Sequence, residues 1–73
     1  MHNVRNQKFL NRLAKNLKKA RKKRGMSQED LAYKSGIALS QVARIETGKL
    51  NTSVSTVFVI LQALDADANE LFE

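Results

Sequence analysis

The 73-residue sequence contains no cysteine and no proline, and its one histidine is His2. Without cysteine the chain can form neither disulfide bridges nor thiolate zinc sites, and a single histidine near a terminus is a poor metal ligand. No nucleophile–base set or phosphate-binding loop is present either, since Ser27 and His2 make too weak a pair. We therefore expect a protein that is not an enzyme and that binds no metal or cofactor.

Long hydrophobic runs are also missing, since none approaches the roughly 18 residues of a membrane span. The amino terminus is basic and polar and lacks the apolar core of a signal peptide. We expect a soluble, cytoplasmic protein that does not enter a membrane. A chain of this length favours one domain, which we expect at residues 9–73, after a flexible N-terminal arm at residues 1–8.

Charge is distributed unevenly along the chain, which carries a net charge of +6. Residues 1–26 contain ten lysines and arginines and no acid, whereas residues 50–73 contain four acids and no base. A basic region of this kind favours binding to a polyanion, and nucleic acid is the commonest polyanion in cells. The alternative is a solubilising surface with a basic tail.

Glycine occurs at three positions, and each follows a segment with helical spacing: Gly25, Gly36 and Gly48. Because glycine often ends helices, these positions divide the first two thirds of the chain into three short helices. The first is predicted at about residues 9–24, the second after an N-cap at Ser27, and the third at residues 39–47.

The fourth segment, after a predicted N-cap at Ser53, is ambiguous because its β-branched residues also suit a strand. Helical spacing fits it too, since four apolar residues follow one another at steps of three or four: Val54, Val57, Leu61 and Leu64. A lone strand would have no partner elsewhere in the chain, so we expect a helix.

A short fifth helix is predicted after an N-cap at Asp67, with Glu70 completing a capping box. Leu71 and Phe72 are expected to pack inward. In the first helix, apolar residues at three- and four-residue steps predict the buried face: Leu10, Leu13, Leu17 and Ala20. The sequence therefore predicts an all-α fold of five helices.

The second and third helices are joined by the short turn SGIA, which forces them to cross steeply, as in a helix-turn-helix unit. Val42 and Ile45 lie on one side of the third helix. The opposite side carries small and hydrogen-bonding side chains: Ser40, Ala43, Arg44 and Thr47. Such a face could approach bases closely in a DNA major groove, which admits one α-helix. The alternative is an ordinary helical bundle with this face in water.

The segment MSQEDLAYKSGIALSQVARIETGK resembles the helix-turn-helix core of the XRE family, which includes the lambdoid phage repressors and Cro proteins. The matching features are SQEDLA, the glycine four residues later, RIETGK, and QALDADANELF near the end. The resemblance spans residues 9–72. It implies a compact, five-helix, lambda-repressor-like DNA-binding domain in which the helix from Leu39 is the recognition helix.

The resemblance also implies roles for single residues. The implied DNA contacts are Gln28 at a phosphate, Leu39, Ser40 and Arg44 at bases, and Gln41, Thr47 and Lys49 at base edges or backbone. Backbone contacts would fix the position of the protein on the duplex, and base contacts would select the sequence. Arg21 and Glu46 match family positions that form an interhelical ion pair, the alternative being two independent surface charges.

The sequence departs from the family pattern at three positions. Ala38 stands where a serine or threonine often caps the recognition helix, at an expected cost of about 1 kcal/mol. Thr52 stands where a proline often precedes the fourth helix. Leu39 replaces a frequent polar base reader, and it could contact a thymine methyl group or pack under the turn against Val42 and Ile37.

Two functions follow from this interpretation. The first is a sequence-specific transcriptional regulator that binds double-stranded DNA as a homodimer on two half-sites. Phe58, Val59 and Phe72 are candidates for the dimer surface, although core packing is the alternative and the expected role of Phe58 and Phe72. The second is an antitoxin or accessory module that binds a toxin protein and regulates its own gene.

Overall fold

The structure is a computed structural model that describes residues 6–49 and 52–73. Over these residues the chain forms five α-helices and no strand, so the predicted fold class is confirmed. The helices are α1 (Gln7–Lys23), α2 (Gln28–Ser35), α3 (Leu39–Glu46), α4 (Val54–Leu64) and α5 (Ala68–Phe72). No helix within the described ranges combines the length and apolar character needed to cross a membrane.

The first helix begins two residues earlier than expected. The side chain of Asn6 caps it by accepting a hydrogen bond from the Phe9 amide at 3.0 Å. Gln7 and Lys8, which were assigned to the flexible arm, are therefore helical. The rest of the expected arm, residues 1–5 with His2, lies outside the described residues.

The second and third helices start in different ways. Ser27 caps α2 in a reciprocal capping box with Asp30, in which backbone and side-chain hydrogen bonds from Ser27 lower the pKa of that carboxyl. Ala38 offers α3 no side-chain acceptor. The Gln41 side chain compensates in part, because its Oε1 accepts the Ala38 amide hydrogen at 3.3 Å.

The ambiguous fourth segment is a helix, and Ser53 caps it by accepting from the Thr56 amide at 3.1 Å. Asp67 caps α5 by accepting from Asn69 at 3.3 Å, as predicted. The expected capping box with Glu70 was wrong, because the Glu70 carboxylate instead binds Arg24, which follows α1. The Glu70 carboxylate, which the local sequence pattern places at the cap, therefore forms a long-range ion pair instead.

The core is enclosed by all five helices. Its fully buried large side chains come from every helix: Leu17, Leu31, Val42, Ile45, Ile60 and Leu71. The predicted stripe of α1 is buried in full. Val54, the first of the four regularly spaced apolar residues of α4, is 86% exposed, because the inward face of that helix is centred on Ile60, Ala63 and Leu64.

Candidate nucleic-acid interface

The turn between α2 and α3 sets the position of α3. Gly36 ends α2 with a φ of +79°, in the left-handed region that glycine adopts without a side-chain penalty. Ile37 then packs half-buried against the core, and Ala38 begins α3. With only three residues between them, α2 and α3 pack against each other as a helix-turn-helix unit.

The two sides of α3 differ as the sequence predicted. Val42, Ile45 and Glu46 are buried beneath it. The outward side carries the exposed side chains of Ser40, Arg44 and Thr47, with Ala43 half-buried among them, and the exposed Leu39 lies beside this face in the first turn. The Thr47 hydroxyl donates to the Arg44 carbonyl at 2.9 Å and so stays close to the helix end. The outward face is therefore small and polar, with one long cation at Arg44.

Leu39 is more exposed than its neighbour Ile37. Its side chain is 43% exposed, and it is not among the half-buried residues that pack against the core. Ile37 occupies that place instead. Leu39 therefore projects from the first turn of α3 as an apolar side chain in solvent, where burial against another surface would be favourable.

Arg21 of α1 and Glu46 of α3 form the ion pair that the resemblance implied. Nε and Nη2 of Arg21 donate to the two carboxylate oxygens at 2.6 and 2.9 Å, and Nη1 donates to the Met26 carbonyl at 2.7 Å. The side chain of Glu46 is 1% exposed. Because the pair is buried and two-pronged, it fixes the distance and orientation between the two helices.

Gln28 joins this pair from the start of α2. Its Nε2 donates to Glu46 Oε1 at 3.0 Å, so one carboxylate receives hydrogen bonds from two helices. Burial acts to raise the pKa of Glu46, but hydrogen bonds from Arg21 and Gln28 and the Arg21 charge outweigh it and lower the pKa below its usual value. Glu46 is therefore ionised and holds α1, α2 and α3 together.

The end of α3 is tied to α1 by residues that the sequence analysis missed. Gln7 Nε2 donates to the Gly48 carbonyl at 3.0 Å and to Asn11 Oδ1 at 2.8 Å. Gly48 lies between two predicted contact residues, Thr47 and Lys49, both exposed. No local pattern could have indicated this contact, because 41 residues separate Gln7 from Gly48.

Cations surround the outward faces of α1 and α3. On α1 a row of exposed basic residues lies opposite the buried stripe: Lys8, Arg12, Lys15, Lys19 and Lys22. Arg44 and Lys49 add exposed positive charge at α3. Near the end of α1, Glu70 of α5 binds Arg24, and Glu70 and Glu73 lie beside Lys19 and Lys23. The described surface can therefore attract a polyanion toward α1 and α3.

An apolar groove of about 410 Å³ lies away from α3, between the ends of α1, α4 and α5. Phe9 stacks on Phe72 there, with ring centroids 5.7 Å apart. Phe72 also packs against the core, as expected, and Val59 is half-buried. The expectation that Phe58 packs in the core was wrong, since it is 58% exposed at the groove beside Val54.

Residues 6–49 and 52–73 contain no group of three histidine, cysteine, aspartate or glutamate side chains that could hold a metal ion. What these residues do assemble is a rigidly held helix with a polar outward face, basic surroundings and an apolar groove elsewhere.

Comparison with known proteins gives a match to the family model HTH_3, described as Helix-turn-helix, over residues 17–71. The restriction-modification controller protein C.AhdI from Aeromonas hydrophila is 36% identical, with a TM-score of 0.83, over 86% of this chain and 96% of that one. The controller protein C.Esp1396I, solved as a tetramer with its natural 35 base-pair operator, is 31% identical, with a TM-score of 0.80, over 88% and 84%.

Among characterised sequences, antitoxin HipB from Escherichia coli is 40% identical over 53 residues. That match covers 73% of this chain and 56% of the antitoxin. The chain therefore spans little more than half the length of this relative, whereas it spans most of the length of the two controller proteins.

Proposed function

Because the chain belongs to the XRE-type helix-turn-helix family, we propose that this DNA-binding regulator inserts α3 into the major groove and reads its operator there. The observation that carries the proposal is the division of α3 into a buried side anchored at Glu46 and an exposed side with Leu39, Ser40 and Arg44. The protein acts by binding in the cytoplasm, and no step of this function requires catalysis.

Each predicted contact has a physical use in this arrangement. Arg44 can present two N–H groups to the O6 and N7 acceptors of guanine, and Leu39 can contact the methyl group of thymine. Ser40 is short enough to let α3 approach a base edge closely. These three side chains account for base selection.

The remaining predicted residues suit backbone or edge contacts. The Gln28 amide uses one hydrogen for Glu46 and keeps a second for a phosphate. Gln41 uses its oxygen at the Ala38 amide, so its nitrogen faces a base edge or phosphate. Thr47 and Lys49 stand at the end of α3, where the DNA backbone flanks the groove.

Selection of bound duplexes from a random library tests the proposal. We expect a preferred half-site, repeated with inverted symmetry about one helical turn apart. Affinity for random-sequence duplex should fall steeply with salt, with a slope of about −0.9 per phosphate contacted. No enrichment of any sequence, together with a flat salt dependence, would refute DNA as the target.

We propose that the homodimer forms through the apolar groove and its rim at Phe58 and Val54. Two observations support it: these side chains are exposed although apolar, and the similar controller protein is described as a tetramer on its operator. In sedimentation, Phe58→Ser should shift the protein toward monomer. Tyr33→Ser, which removes a 92% exposed aromatic residue from α2, is the matched control and should leave the assembly unchanged.

A second candidate function follows from the 40% identity to an antitoxin. In that case the chain also binds a toxin protein and represses its own gene. Co-expression with the product of the adjacent gene tests this candidate, with copurification and relief of growth arrest as the expected results. A neighbour that is neither toxic nor bound removes this candidate and leaves the regulator proposal intact.

A further inference from the structure

The turn that ends α3 is closed on itself by backbone hydrogen bonds. The amide of Lys49 donates to the Arg44 carbonyl at 3.0 Å, and the amide of Gly48 donates to the Ile45 carbonyl at 3.1 Å. These bonds leave the Gly48 carbonyl directed away from α3, and Gln7 of α1 donates to it. One side chain of α1, that of Gln7, thus binds this turn.

The space around Gly48 shows how close this contact is. Gly48 is buried and has a φ of +74°. A Cβ atom at this position would lie 2.7 Å from Asn11 Oδ1 and 3.4 Å from Gln7 Nε2. Asn11 in turn accepts the second hydrogen of the Gln7 amide, which fixes the direction of that amide. We call this three-residue contact of Gln7, Asn11 and Gly48 the latch.

The latch adds a third attachment of α3, at its C-terminal end. The turn from α2 holds the beginning of α3, and the Arg21–Glu46 pair holds the helix from beneath. Beyond Glu46 the chain turns away, and the Gln7 bond is the side-chain contact that ties Gly48 to α1.

We propose that Gln7 and Asn11 are positioning residues for DNA binding, because they hold the segment from Thr47 to Lys49 where it meets the DNA backbone. The proposal rests on the proposed function of α3. Without the latch, the segment from Thr47 to Lys49 is held less firmly against α1, so a contact with the DNA backbone is weakened or lost and affinity falls. The base contacts of Leu39 and Arg44 lie nearer the start of α3 and keep their preference.

The main test compares Gln7→Ala with the control Gln62→Ala. The control also removes an exposed glutamine side chain, but from α4, where this side chain makes no hydrogen bond. The probe is the duplex selected by the unmodified protein, with random-sequence duplex alongside. Gln7→Ala should weaken binding by about three- to tenfold, the range expected for one lost hydrogen bond. Its salt slope should also be smaller by about one, as for one lost phosphate contact. Base preference should match the control, whereas Tm should fall by a few degrees, because the lost hydrogen bond also stabilises the free protein.

A second comparison separates positioning from direct contact by Gln7. Lys49→Ala should weaken binding, and adding Gln7→Ala to it should cost much less than Gln7→Ala costs alone. Full additivity would mean that Gln7 acts independently of the turn, which overturns the proposal. Asn11→Ala should cause a smaller loss in the same direction, because it frees the Gln7 amide to rotate.

Failure of the latch and failure of the proposed function give different results. If Gln7→Ala binds the selected duplex like Gln62→Ala, with the same salt slope, the latch has no role in binding. If the unmodified protein selects no sequence at all, the proposed function of α3 fails before the latch is tested. Faster hydrogen exchange at the Lys49 amide in Gln7→Ala gives an independent check that the turn has loosened.

Discussion

Two arginines, three residues apart at the end of α1, each bind a glutamate from a distant part of the chain, but in different surroundings. Arg21 reaches Glu46 beneath the recognition helix, where the two side chains are 9% and 1% exposed. Arg24 reaches Glu70 of α5, where the corresponding values are 24% and 28%. In both pairs the guanidinium donates two hydrogen bonds to the carboxylate. The two pairs therefore differ in their exposure to solvent and not in their hydrogen-bond geometry.

The difference follows from what each pair must hold. Burial of an ion pair removes both charges from water, which is unfavourable, but it fixes their geometry. Loss of one partner then destabilises the fold strongly, because the other charge stays buried. A pair in contact with water is weaker and more tolerant. The recognition helix is fixed by the first kind and the C-terminal helix by the second. The α3 side of the molecule is therefore the side whose ion pair is shielded from water.

Removing each glutamate is the strongest test of this contrast. Glu46→Ala leaves the Arg21 guanidinium buried without its carboxylate, and we expect a loss of about 3 kcal/mol or more in the free energy of unfolding. Glu70→Ala should lower Tm by much less, because water can reach Arg24. Urea and thermal unfolding of both variants measure the two effects.

A double-mutant cycle gives the control for this test. Arg21→Ala combined with Glu46→Ala should cost less than the sum of the single changes, since neither charge is then left buried alone. Equal losses for Glu46→Ala and Glu70→Ala would show that solvent exposure does not separate the two pairs.

Changes on the outward face of α3 should affect binding and leave stability unchanged. Arg44→Ala and Leu39→Gln are each expected to reduce discrimination at one base pair by about 1–3 kcal/mol. Tm should barely move, because both side chains are exposed. Repeating the site selection with each variant measures the effect, and Glu70→Gln on the other side serves as the control. If Leu39→Gln lowers Tm while site preference stays the same, Leu39 has a packing role.

Acid should produce the smallest of these effects. The hydrogen bond from Arg24 lowers the pKa of Glu70 below its usual value. The positive charge of Arg24 acts in the same direction, and desolvation acts against it. The stability from this pair is therefore present above about pH 4.3, the usual glutamate pKa, and is lost as the pH falls through the lowered value. The difference in Tm between the unmodified protein and Glu70→Gln should shrink from pH 7 to pH 3. A constant difference would contradict the shift.

Local signals predicted most of the fold. Ser27, Ser53 and Asp67 cap their helices as predicted, and the stripe of α1 is buried, because caps and helical spacing depend on residues three or four apart. The same reasoning failed where distant residues compete. Glu70 binds Arg24, 46 residues away, instead of completing the capping box expected at Asp67.

The candidate site was predictable to a different degree. The outward face of α3 follows from spacing alone, whereas the Arg21–Glu46 pair required a resemblance to known proteins. The latch was not predictable in either way, because a glutamine, an asparagine and a glycine are common on any surface. The exposure of Phe58 was missed because helical spacing alone does not reveal how far a face extends.

Arg24 has a further consequence for how the helices come apart. Its guanidinium donates to the carbonyl of Ala20 near the end of α1 and to the carbonyl of Leu64 at the end of α4, while it binds Glu70 in the first turn of α5. Helix dipoles place negative charge at the first two points, and the Glu70 carboxylate adds more. One cation thus binds carbonyls at the C-terminal ends of α1 and α4 and the Glu70 carboxylate of α5 at once, so it links the ends of three helices. Arg24→Lys keeps the charge but provides a single nitrogen, so it should make these ends fray independently. The cooperativity of this small domain therefore depends on the shape of one side chain as well as on its charge.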